Sequence, residues 1–145
     1  MTGSWKQNIT SEKNYSKDLR MTNFMKVKEF MSTFRQEVKE SPEYPGLDVA
    51  ALRYELIREE LQELYDATGQ KDMVEIADAL TDLLYVVYGA GHAYGIDLDA
   101  CFDHVHASNM SKLNQFGQPI YRGDGKILKG ENYWAPNMKQ FVGEA

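Results

Sequence analysis

The sequence predicts an all-α fold, a four-to-five-helix antiparallel bundle with an irregular C-terminal tail, and three observations carry that prediction. Apolar residues recur at helical rather than alternating spacing through four successive segments. Aspartates precede three of those segments and glycines follow two of them, as helix starts and stops require. The connections between them are short, which favours antiparallel neighbours.

The first 20 residues are polar, without apolar periodicity, and read as a flexible lead-in to a single domain spanning residues 21–145. Phe24, Val27, Phe30, Met31, Phe34 and Val38 then mark a first amphipathic helix, ending before the breakers Pro42, Pro45 and Gly46. Asp48 is placed to cap a second helix that runs to about Thr68, with Gly69 as its stop. Asp72 is placed to cap a third, to about Tyr94 with Gly95 as stop, and Asp97 a fourth, to about Lys112. From about residue 113 the character changes. Gly117-Gln118-Pro119 and Gly123-Asp124-Gly125 are turn signals, the second a candidate hairpin.

Composition narrows the function. The 145 residues include 22 acidic and 16 basic side chains, a net charge of -6 that disfavours binding a nucleic-acid polymer. A small anionic substrate stays open, provided a divalent cation stands between the two sets of negative charge. One cysteine, Cys101, excludes an internal disulfide. The longest apolar stretch, Ala77 to Ala93, is broken by Asp78, Asp82 and His92, so no membrane span is expected and the cytoplasm is the expected compartment.

The acidic residues give the sharpest signal. On the second helix, Glu60 falls inside the apolar sector of Leu56, Ile57, Leu61, Leu64 and Tyr65, Glu63 at its edge, and Glu59 on the far side. On the third, Glu75, Asp78 and Asp82 form one narrow strip while Ile76, Leu80, Leu83, Leu84, Val86 and Val87 cover the remaining circumference. A helix apolar nearly all round is expected to be buried on most faces. Burying unpaired carboxylates costs several kcal/mol each, roughly, and like charges repel. Protonation or a cation must offset this. An all-oxygen donor set suits magnesium, with manganese as substitute. Ion pairing with Arg53, Arg58 or Lys71 is the competing structural explanation.

Glu60-x-x-Glu63 followed by Glu75-x-x-Asp78 resembles the paired helix motifs of the all-alpha nucleoside triphosphate pyrophosphohydrolases, in particular MazG-like and phosphoribosyl-ATP-pyrophosphohydrolase-like members. The likeness spans roughly residues 22–136 and includes LIREELQELYDA, VEIADALTDLLYVVYGAGHAYGIDL, VHASNMSK and DGKILKGENYWAP. The eleven residues between Glu63 and Glu75 lie at the short end of the family pattern, and Asp82-Leu83-Leu84 offers a second register. That register would put Ala79 where an acid is needed, so Glu75 and Asp78 are preferred, with Asp82 in support.

The resemblance implies hydrolysis of a (deoxy)nucleoside triphosphate to the monophosphate and pyrophosphate, in nucleotide-pool house-cleaning. Glu60, Glu63, Glu75 and Asp78 would be metal ligands, and Glu59 or Glu63 the general base. Asn109 and Lys112 in SNMSK would contact substrate. A dUTPase and a phosphoribosyl-ATP pyrophosphohydrolase are alternatives within the class, and a non-catalytic metal-binding oligomerisation module lies outside it.

Other residues carry paired readings. Lys112 equally suits a helix C-terminus for dipole reasons. Arg122 and Lys126, with Lys129, could fold over phosphates or form a solvated loop. Gly89, on the face of the acids, implies close approach of a backbone or a nucleobase. His104 and His106 diverge on a helix, and no Glu-x-x-His pair marks a di-iron site. Trp134 and Tyr133 could stack on a base or dock the tail. The apolar third helix needs more cover than one chain supplies, so a homo-oligomer is expected, preferably a tetramer as a dimer of dimers.

Overall fold

The structure, a computed structural model, describes residues 20–143. The expected flexible lead-in therefore lies, Arg20 apart, outside the described residues. Among those described, five helices follow one another: α1 (Asn23–Thr33), α2 (Leu47–Gln70), α3 (Met73–Tyr94), α4 (Leu98–Met110) and the short α5 (Lys139–Val142). There is no strand among them, only an isolated antiparallel bridge between Tyr121 and Ile127 around the expected turn. The all-α bundle with its irregular tail is as the sequence predicts.

The starts of α1, α3 and α4 follow local chemistry. Asp72 accepts from the backbone N–H groups of Val74 and Glu75, and Asp97 from that of Ala100. Thr22 caps α1 by accepting from Met25 N at 3.1 Å. At α2, however, Gly46 takes the cap position with φ +96°, and Asp48 sits in the first turn instead. There it complements the helix dipole without capping.

Two helix ends also depart from expectation. α1 stops at Thr33, short of Val38. Arg35 adopts φ +59°, and the N–H groups of Arg35 and Gln36 close onto Ser32 O and Met31 O. α2 runs through Gly69, and the left-handed residue is Lys71, at φ +57°. Of the two expected glycine stops, Gly95 holds, ending α3 at φ +69°.

The two-residue link Lys71-Asp72 turns α3 back along α2, and α1 packs across α3. Val27 and Met31 of α1 are fully buried with Ala79 and Ala93 of α3. The chain between α1 and α2 then straps the end of α3: Lys39 N–H donates to His92 O and Glu43 N–H to Tyr94 O, both at 3.0 Å. Those bonds satisfy carbonyls that a helix end leaves unpaired.

α4 is tied at its start, where the Thr22 hydroxyl donates to Asp99 at 2.6 Å, but has no extended packing against α2 or α3. The tail returns to α4 itself. Buried Ser108 donates to Trp134 O at 2.8 Å, the Trp134 ring lies 5.0 Å from His104, and Asn137 N–H donates to His104 Nε2 at 2.9 Å. Trp134 thus docks the tail, as one of its two expected roles requires.

α3 is less buried within one chain than its composition predicts. Leu80, Leu84 and Val87, at helical spacing, form an exposed stripe, and Tyr54, Leu61 and Tyr65 form another on α2. Within one chain α4 does not cover this stripe, which leaves uncovered part of the apolar circumference for which the sequence reading expected a second copy. No described helix is long and apolar enough to cross a membrane.

Candidate active site

The antiparallel pairing of α2 and α3 decides which acids meet. Glu60 of α2 feels the negative charges of Glu63, Asp82, Glu59 and Asp78, in that order, so the α3 strip does face the acidic pair. Glu60 is half-buried, and its Oε2 is shielded from solvent without a hydrogen-bond partner. Burial first, and then this repulsion, holds its carboxyl above the ordinary carboxylate value. Asp82 is half-buried as well, whereas Glu59, Glu63, Glu75 and Asp78 are exposed. Glu75 lies one turn beyond Asp78, outside the group that acts on Glu60.

The competing ion pairs are absent. Arg58 pairs with Glu55, its Nε 2.9 Å from the carboxylate, and Arg53 bonds Gln36. Among the described residues, no basic group stands within ion-pair distance of Glu59, Glu60, Glu63, Glu75, Asp78 or Asp82. An orphaned buried oxygen among like charges suits a hard divalent cation, because the donors are all carboxylate oxygens. The side chains as they stand do not complete such a site. Among the described residues, no three acids, histidines or cysteines converge closely enough to hold a metal ion.

The other expected site residues stand on separate elements. Lys112 Nζ donates to Asn109 Oδ1 at 2.9 Å near the end of α4. Arg122 pairs with Asp124, Nε to Oδ1 at 2.9 Å, within the hairpin turn. Lys126 is exposed beside it, its backbone N–H donating to the same Asp124 oxygen at 3.2 Å. Lys129 lies over the Tyr133 ring at 4.6 Å. Asn109 lies in α4 and Lys112 just past its end, and α4 makes no extended packing with the helices that hold the acids.

Two features escaped the sequence reading. One is Arg53, whose Nε is buried without a partner and whose guanidinium lies over Gly89. A Cβ at Gly89 would stand 2.9 Å from Arg53 Nη1, so the close approach expected there is a guanidinium from α2. Its seven-residue spacing from Glu60 was visible, but Gln36 and Gly89 are remote in sequence. The other is a hollow of about 360 Å3 at the far end of α3, beside Phe24, Lys28, Lys39 and His92. It lies away from the acids, and its cations are engaged. Lys39 holds Glu37 and Glu43, and Lys28 holds Glu40.

Two comparisons with known proteins match this chain. Residues 27–109 match the family model described as phosphoribosyl-ATP pyrophosphohydrolase, a stretch that includes both acidic motifs and ends at Asn109. The chain is also 34% identical over 120 residues to an uncharacterized protein of Acanthamoeba polyphaga mimivirus, a match covering 80% of this chain and 45% of that protein. The chain thus spans less than half the length of that relative.

Proposed function

Since the chain belongs to the phosphoribosyl-ATP pyrophosphohydrolase family, we propose that it hydrolyses a (deoxy)nucleoside triphosphate to the monophosphate and pyrophosphate, as a house-cleaning enzyme of the nucleotide pool. The observation that carries the reading is the Glu60 Oε2 atom, buried without a partner among Glu63, Asp82, Glu59 and Asp78. Like-charged oxygens gathered without a basic neighbour are what a cation-dependent phosphoryl site requires.

Glu60, Glu63, Glu75 and Asp78, with Asp82 in support, would hold magnesium, or manganese in its place. Bound there, the cation supplies charge neutralisation and polarises the phosphoryl group. The protein side chains do the remainder. Glu59 or Glu63, both exposed and flanking Glu60, takes the proton of the attacking water. Asn109 and Lys112, already bonded to each other, orient the substrate, with Arg122 and Lys126 as further phosphate contacts. The exposed stripes on α2 and α3 fit a homo-oligomer, a dimer or a dimer-of-dimers tetramer, acting in the cytoplasm. A dUTPase or a phosphoribosyl-ATP pyrophosphohydrolase would use the same acids.

The test is a panel of ribo- and deoxyribonucleoside triphosphates with magnesium, products separated by chromatography. Monophosphate plus pyrophosphate from at least one substrate, abolished by Glu60→Gln and Asp78→Asn, is the expected outcome. Absence of turnover across the whole panel would leave the helical oligomerisation module, which the exposed apolar stripes favour, as the better description.

A further inference from the structure

The Arg53 guanidinium has donors to spare. It makes one long hydrogen bond, Nη2 to Gln36 Oε1 at 3.4 Å, its Nε has no partner, and no described carboxylate lies within ion-pair distance. Burial lowers its pKa from the ordinary arginine value, as expected for a cation drawn from water without a counter-charge. Beside it opens a hollow of about 230 Å3, walled by Pro45, Val49, Leu52, Leu56 and Ala93, with Gln36 and Glu37 at its rim. Apolar walls with a few polar groups describe an organic ligand site better than a phosphate cradle.

Its position relative to the acids is informative. Arg53 precedes Glu60 by seven residues, so both lie on one stripe of α2, about 10 Å apart along the axis at 1.5 Å per residue. On α3 the same stripe runs from Asp82 to Gly89, also seven residues. That separation is comparable to the reach of a nucleoside from its 5′-phosphate to the far edge of its base. With the reacting phosphates at Glu60 and Asp82, the base would lie at Arg53.

We infer that Arg53, supported on Gly89 and steered by Gln36, reads the nucleobase and selects bases that present an oxo group there, the uracil and guanine class. Arginine carries donors and no acceptor. It pairs with the O4 of uracil or the O6 and N7 of guanine, and meets the amino donors of cytosine and adenine unfavourably. The inference rests on the pyrophosphohydrolase reading for the placement of the phosphates, but Arg53, Gln36, Gly89 and the hollow are independent of it.

The experiment compares dUTP, dGTP, dCTP and dATP on the full chain with magnesium, in the native protein, Arg53→Gln and Gly89→Ala. The native protein should favour dUTP and dGTP over dCTP and dATP by at least about tenfold in kcat/KM. Arg53→Gln should remove most of that preference by slowing the oxo pair. Gly89→Ala, which displaces Nη1 but keeps the charge, should narrow it too and serves if Arg53→Gln fails to fold. Equal use of all four bases, or a preference unchanged in both variants, overturns the assignment. So does an equal loss on every base, which would make Arg53 a phosphate contact. Should the native protein hydrolyse nothing, the pyrophosphohydrolase reading fails separately. Calorimetric binding of dUMP against dCMP to the native protein and the variants then decides the role of Arg53, with equal affinities counting against it.

Discussion

The His92 imidazole stacks face to face on the Phe24 ring, centroids 3.8 Å apart and planes 8° from parallel, while its Nε2–H donates to the Phe24 carbonyl at 2.7 Å. One side chain of α3 thereby grips both the ring and the backbone of α1, and His92 is almost wholly buried at the junction.

That burial makes stability depend on pH. His92 is held below the ordinary histidine value of 6.5, chiefly by desolvation, with the Phe24 carbonyl opposing. A depressed histidine contributes stability fully present above its unfolded pKa and lost as pH falls from there toward the folded value. The stability difference between the native protein and His92→Asn, read by urea unfolding, should therefore shrink as pH is lowered through 6.5. A difference constant from pH 8 to pH 5 would remove this account.

Glu60 works in the opposite sense. Its carboxyl is raised above the ordinary carboxylate value of 4.5, so it does not oppose folding below that pH and opposes it increasingly as pH rises from there to the folded value. Without divalent cations, Glu60→Gln should unfold at a higher temperature than the native protein at pH 7, with the gap closing toward acid. Added magnesium should raise the native midpoint more than that of the variant, by mass action on the folded state. Equal midpoint shifts in both proteins would show that Glu60 holds no cation.

Gly95 offers a purely steric test. It sits at φ +69°, and a Cβ there would overlap the Ser41 carbonyl oxygen of the strap. Gly95→Ala combines an unfavourable backbone conformation with displacement of the residues that cap α3, so a loss of about 2–4 kcal/mol in chemical denaturation is expected. Gly123→Ala, with open space around its Cβ, is the control and should fall within about 0.5 kcal/mol of the native protein.

Leu84 tests assembly. It is 54% exposed in the middle of the α3 stripe, and a second copy is the proposed cover. Leu84→Glu should shift the mass measured by light scattering to a smaller species at micromolar concentration. A native protein that is already monomeric there would dispose of the oligomer.

What the sequence made legible depended on how local the cause was. Asp72, Asp97 and Gly95 act within one turn of themselves, and each helix boundary they predict is where the structure puts it. Arg35 and Lys71 adopt left-handed conformations that their residue types disfavour, so the ends of α1 and α2 were misread. The facing of Glu60 toward Asp78 and Asp82 followed from helical periodicity and an antiparallel turn. That one chain leaves α3 short of cover also followed, but which stripe stays open did not, because it depends on where α4 lies. Arg53 was assigned only to possible ion pairing, since its partners Gln36 and Gly89 come from other helices and loops.

The return of Trp134 to Ser108 makes α4 and the chain beyond it a braced spar. Its braces at Ser108 and His104 lie within α4, and it meets α3 near its two ends, through Leu98 beside Gly91 and Val142 beside Tyr94, so insertions or deletions just downstream of Gly130 would reshape what it offers a neighbouring molecule. The two-residue turn at Lys71-Asp72, which sets the register of the acids, lies elsewhere and would be spared.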